Sequence, residues 1–220
     1  HDADYACFLL MRFDQSIGKE KILNVYGPPP TEQLTKRLVG EDIGAYWHDY
    51  IARTNHPLSL WAYQDRGGEL PRQIPQINSN DIDPGFVLNG ENWKITCKRV
   101  EHVQPYLDSL AYRVEHKNQT IVFSGDTRPC EALVDISANA DALVMECARL
   151  DREMKGNATS QSESSALDAG KVAKEANVKN LILTHQVHYL DEYKDEVINE
   201  VELNFKGNII WADELMTIKI

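Results

Sequence analysis

The chain has 220 residues, 42% hydrophobic and 26% charged, enough apolar material for a proper core in one large domain or two small ones. Its 12 glycines and 9 prolines are scattered and no repeat persists, which excludes collagen, coiled coil and wholesale disorder. A net charge of −11 argues against binding nucleic acid through a general positive surface, and no apolar run approaches the roughly 20 residues of a membrane span.

Asp4 to Phe13 reads as a buried helix, and Lys21 to Tyr26 as a strand stopped by Gly27-Pro28-Pro29-Pro30. Thr31 caps a helix through Val39, with Gly40 as its stop; a second helix is expected over Ile43 to Arg53. Residues 64–85 are rich in Gly, Pro, Asn and Asp and read as loop with one edge strand. From Trp93 the pattern changes. Trp93 to Val100 alternates, and Ala111 to Glu115 and Thr120 to Ser124 form a hairpin around Lys117-Asn118. Helices at Pro129 to Ala138, Ser165 to Ala176 and Asp191 to Asn204 then alternate with strands at Ala142 to Glu146, Asn180 to Thr184 and Ile209 to Trp211. Met216 to Ile220 closes the chain as a last strand. Antiparallel strands followed by strand–helix alternation specify a mixed sheet covered by helices.

The four cysteines, at 7, 97, 130 and 147, form no CxxC pair and read as small buried hydrophobes in a reducing, cytoplasmic setting. Three polar residues share one topological position, the end of a strand entering a loop: His102, Asp126 and His185. Ligands gather at the carboxyl ends of strands in open α/β sheets, and two imidazoles with a carboxylate suit Zn²⁺ or a similar divalent ion. A capped loop histidine and an Asx-turn aspartate are the competing readings, and spacing alone leaves the two level.

Ordered blocks extend the argument: Val100-Glu101-His102, Ala111-Tyr112-Arg113-Val114, Val122 to Arg128 (VFSGDTR), Ala142 to Ala148 (ALVMECA) and Leu181 to His185 (LILTH). With Val25-Tyr26-Gly27-Pro28-Pro29 upstream, this series resembles the ribonuclease Z branch of the metallo-β-lactamase superfamily. The resemblance implies an αββα sandwich, a single domain over 1–220 with residues 31–90 as a lid or insertion, and two divalent metal ions, Zn with Mn or Fe as alternatives. It makes His102 and His185 ligands of different ions and Asp126 their catalytic bridge. Glu146 becomes the residue that orients a ligand. His1 takes the place of the last histidine of the family's HxHxDH motif. The earlier residues of that motif, and the first strands of the fold, are absent from this sequence. Glu163 stands where the family carries a histidine that assists the leaving group; a protonated carboxyl can do that work, and a solvated loop glutamate is the alternative.

Asp126 stands only 24 positions after His102, too close for the tRNA-clamping arm of the bacterial enzymes. The expected substrate is therefore a small phosphodiester or ester, with RNA the only nucleic-acid substrate retained. Trp47, Tyr50, Trp61 and Tyr63 are core or the wall of a small apolar pocket. A tRNA 3′-processing endonuclease and a degenerate, non-catalytic ligand-binding protein are the alternative functions. No membrane partner is expected, and a homodimer is compatible with the chain.

Overall fold

A computed structural model describes residues 2–17 and 21–220, and its contacts divide the chain into two compact units, 1–82 and 83–220. His1, the expected metal ligand, lies outside the described residues.

The first unit opens with α1 (Ala3–Gln15), which buries Leu9 and Phe13. Strand β1 (Leu23–Gly27) runs parallel to β2 (Ile77–Asp81), and parallel neighbours require a long crossover. That crossover holds α2 (Thr31–Val39), α3 (Trp47–Asn55) and α4 (Pro57–Asp65). Two of the expected boundaries change here. The helix expected over 43–53 starts only at Trp47, because residues 41–46 are taken up by turns. A further helix begins at Pro57, whose fixed φ and missing N–H suit a first turn. The core of this unit is Leu9, Phe13, Val39 and Tyr50, with Trp47 packed against it. Tyr63 is also buried, whereas Trp61 is 63% exposed. The guanidinium of Arg72 lies 4.2 Å from the Phe13 ring centre and 4.8 Å from that of Tyr63, a cation between two aromatic faces.

The second unit is built on a seven-stranded sheet whose spatial order follows the sequence. Strands β3 (Val87–Asn89), β4 (Trp93–Val100), β5 (Ser109–His116) and β6 (Gln119–Phe123) pair antiparallel. Strands β7 (Ala142–Glu146), β8 (Asn180–Thr184) and β9 (Asn208–Trp211) continue from β6 as parallel neighbours. The parallel connections carry α5 (Glu131–Ser137), α7 (Ala166–Glu175) and α8 (Lys194–Glu202), with a one-turn α6 (Asp151–Met154) between β7 and α7. Parallel strands are covered on both faces, which explains the nearly unbroken apolar runs ALVM and LIL.

Helix α7 starts at a reciprocal capping box, Ser165 with Asp168. It meets α8 at Gly170, where an added Cβ would lie 2.5 Å from the carbonyl oxygen of Val201. The start of the helix expected at Asp191 is a 3₁₀ segment, His188–Tyr193, that precedes α8. The expected last strand, 216–220, pairs with no strand among the described residues; a hydrogen bond from Gln119 Nε2, at the start of β6, to the Ile220 carbonyl (2.6 Å) ties it to the sheet.

Candidate metal centre

Strands β6, β7 and β8 are adjacent and parallel, so their carboxyl ends lie along one edge of the sheet. Two antiparallel steps separate β4 from β6, so β4 ends at the same edge. Asp126 follows β6, Glu146 ends β7, His185 follows β8 and His102 follows β4. The sheet topology alone therefore brings four residues far apart in sequence to one edge of the sheet.

Local backbone chemistry then aims the side chains. The Ser124 N–H extends the ladder to the Val144 carbonyl (2.9 Å), after which Gly125 turns at φ +61°. A side chain there would be strained by that φ and would stand 3.3 Å from the Leu110 carbonyl oxygen, so glycine is required. His185 holds φ +61° without being glycine, a conformation that costs about 1 kcal/mol or more and that recurs at functional sites. Its Nε2 lies 3.5 Å from Asp126 Oδ2 and its Nδ1 3.9 Å from Glu146 Oε2. One ligand atom from each of the three residues falls within 4.8 Å of the others, which fits a divalent ion held by two oxygens and a nitrogen.

The electrostatics of Glu146 point the same way. Its side chain is 1% exposed. Oε1 accepts the N–H groups of Thr127 (2.6 Å) and Ser164 (3.2 Å), while Oε2 is buried with no hydrogen bond among the described residues. Burial, the largest influence, pushes the carboxyl up to about 8; the Thr127 N–H opposes this, and the charges of Asp126 and Glu163 add to it. A cation among these three residues would offset the cost of burying the carboxylate, so the donor set suits the metal that the family resemblance implies.

His102 is not part of this three-residue cluster. Its Nδ1 is 2.7 Å from the Ser162 carbonyl oxygen and its backbone N–H donates to Gln104 Oε1 (2.8 Å). A neutral imidazole that donates from Nδ1 presents its Nε2 lone pair, as a metal-ligating histidine does. Glu163 is half-buried, its N–H donates to the Thr159 carbonyl (2.8 Å), and its charge reaches Glu146. His48, His56, His116 and His188 are exposed. Spacing gave no sign of the supporting shell: the Thr127 and Ser164 amides on Glu146, the Ser162 carbonyl on His102, and the Ser164 hydroxyl that donates to the Thr127 carbonyl (2.6 Å). The Ser165–Asp168 capping box beside it has a local sequence signal, S-x-x-D before a helix.

The family described as "Beta-lactamase superfamily domain" matches residues 47–186. The chain belongs to the metallo-β-lactamase superfamily. Within it, Ribonuclease Z of Methanosarcina mazei is 39% identical over 251 residues, covering 93% of this chain and 72% of that protein. Ribonuclease Z of Latilactobacillus sakei is 27% identical over 225 residues, covering 89% and 70%. The metallo-β-lactamase fold protein YhfI of Bacillus subtilis shares the fold at a TM-score of 0.64 and 22% identity, over 97% of this chain and 70% of that one. Human tRNase Z, short form, does so at 0.59 and 17%, over 98% and 73%. As a ribonuclease Z-like superfamily member, the protein is a metal-dependent hydrolase. No helix among the described residues is long and apolar enough to cross a membrane.

Proposed function

We propose that the protein is a dinuclear metal-dependent phosphodiesterase whose ions are held at the carboxyl ends of β4, β6, β7 and β8. The observation that carries this reading is the meeting of Asp126, Glu146 and His185 within ligand distance of one another. Asp126, His185 and His102 would hold the ions, Asp126 between them as the family resemblance implies, with His1 of the family motif as a further expected ligand; Zn is the favoured metal, with Mn or Fe as alternatives. Divalent ions there would supply Lewis acidity and a water acidified towards neutral pH. The remaining work falls to this chain's own side chains. Glu146, fixed by the Thr127 and Ser164 amides, orients the His185 imidazole or ligates beside it. Glu163 delivers a proton to the leaving group. The four free thiols suit a cytoplasmic setting.

A small phosphodiester or ester is the favoured substrate. Between His102 and Asp126 the connections are short, residues 101–108 from β4 to β5 and the tight turn at Lys117-Asn118 from β5 to β6, which argues against a long clamping arm. A second reading, processing of tRNA 3′ ends, is favoured by the names and the identity of the ribonuclease Z relatives. The Methanosarcina alignment is longer than this chain, so that relative carries residues within the matched span that this chain lacks.

Elemental analysis of purified wild type and Asp126→Ala tests the site. The wild type should hold close to two ions per chain and the variant, still folded, should lose them; unchanged metal content would overturn the assignment. Hydrolysis of bis(4-nitrophenyl) phosphate set against cleavage of a precursor tRNA separates the two substrates, and specific processing of the tRNA 3′ end would decide for the second reading.

A further inference from the structure

Beside His102 the second unit has a cavity of about 350 Å³, lined by Arg99, Glu101, Gln104, Arg128 and Gln161 as well as His102 itself. Two arginines thus border a cavity that His102 also lines, in a protein of net charge −11. Each is held by a carboxylate. Arg128 directs Nε (2.6 Å) and Nη2 onto the single oxygen Oε2 of Glu101, and Arg99 Nη2 lies 3.0 Å from Asp108 Oδ1. Glu101 and Arg128 also face each other in an isolated antiparallel bridge, with the Arg128 N–H on the Glu101 carbonyl (2.8 Å). The bridge explains why the two side chains meet, and with the run from Arg99 to His102 it sets both arginines around one cavity beside His102.

Arg128 is 47% exposed and Glu101 50%, and pairs at such exposure are worth little, about 0–1 kcal/mol. A guanidinium fork binds phosphate in two-pronged fashion, and more strongly than it binds a solvated carboxylate. An incoming phosphate can therefore displace the Glu101 carboxylate at small cost. The backbone bridge keeps Arg128 next to Thr127 and Asp126, so a group held by its fork is fixed relative to the site.

We infer that Arg128, supported by Arg99, receives a second anionic group of the substrate, a phosphate about one sugar away from the bond that is cleaved, and that Glu101 occupies this position until it arrives. The inference rests on the proposed function and deepens it. It makes Arg128 and Glu101 a pair that sets specificity: the arginine attracts the second phosphate and the carboxylate competes with it. Esters with no second charge gain nothing from the subsite.

Two substrates that differ by one phosphate test this: thymidine 5′-(4-nitrophenyl phosphate) and the same ester carrying a 3′-phosphate. Metal-loaded wild type should prefer the 3′-phosphorylated ester by about tenfold in kcat/KM, the factor expected of one charge-assisted contact. Arg128→Gln should bring that ratio close to one, and Glu101→Gln should raise it. Calorimetry with thymidine 3′,5′-bisphosphate on the metal-free protein gives a reading independent of turnover, with binding weakened in Arg128→Gln and tightened in Glu101→Gln. Equal kcat/KM for the two esters in wild type, or a ratio unmoved by Arg128→Gln, overturns the subsite and leaves the proposed function standing. Turnover of neither ester overturns the proposed function and this inference with it.

Discussion

The two units reach their cores by different routes. Residues 83–220 bury aliphatic and small side chains on parallel strands, with Leu143, Leu181 and Leu183 fully enclosed and Gly170 letting two helices touch. Residues 1–82 gather a smaller core around the rings of Phe13, Tyr50 and Tyr63, with the Arg72 cation stacked between two of them and the side chains of Leu58 and Trp61 exposed. In the sheet, an apolar residue is required wherever a strand is covered, so polar residues are pushed to the strand ends. That is where the candidate centre lies. Around the aromatic core, helices of mixed character tolerate exposed apolar residues, and position along an element says less about role.

Replacing buried with exposed leucines tests this contrast most strongly. Leu181→Ala should cost about 3 kcal/mol in urea unfolding, because it leaves a cavity in close-packed surroundings. Leu58→Ala, at a position 66% exposed, should stay within about 0.5 kcal/mol. A comparable loss at Leu58 would show that its surface is covered in solution and would break the contrast.

Gly170→Ala sharpens it. Helix propensity favours alanine by about 1 kcal/mol, but the new methyl meets a backbone carbonyl that cannot rotate away. The net effect should be destabilising by about 1–2 kcal/mol, read from the urea midpoint; a stabilised variant would mean that α7 and α8 separate easily.

The smallest effect concerns pH. The Asp141 carboxylate accepts from Lys179 Nζ (2.6 Å) and from the Thr120 N–H (2.8 Å). Lys179 is the main cause, with Thr120 next, of an Asp141 pKa below the ordinary aspartate value. Because the folded-state pKa is lowered, this contact stabilises the fold above the unfolded-state value of about 4, and its contribution is lost as pH falls through the folded value. Between pH 7 and pH 3, Asp141→Asn should therefore lose less stability than wild type; equal losses would show that the carboxylate is not engaged in solution.

Much of the second unit was legible because its chemistry repeats at the period of its elements. Alternation marked β4, and apolar runs marked β7 and β8. The first unit was harder to read. The turns before Trp47 are fixed by hydrogen bonds of Ala45 and Tyr46 back to the Arg37 and Leu38 carbonyls of α2, and the pairing of β2 with β1 spans about fifty positions of loop-like and helical sequence.

Which residues could carry chemistry was legible in the sequence: His102, Asp126 and His185 each follow a strand pattern, alternating for the first and apolar for the other two, and the ordered blocks around them resemble the family. Tertiary structure alone decided which of them meet. Sheet order placed Glu146 among the ligand atoms with Asp126 and His185, and the segment after the 3₁₀ turn at Ala158–Gln161 brought the Ser162 carbonyl to His102. The reason is physical. Strand pairing fixes where each strand ends, but the direction of a side chain there depends on turn dihedrals and on amide donors from segments that no local pattern connects.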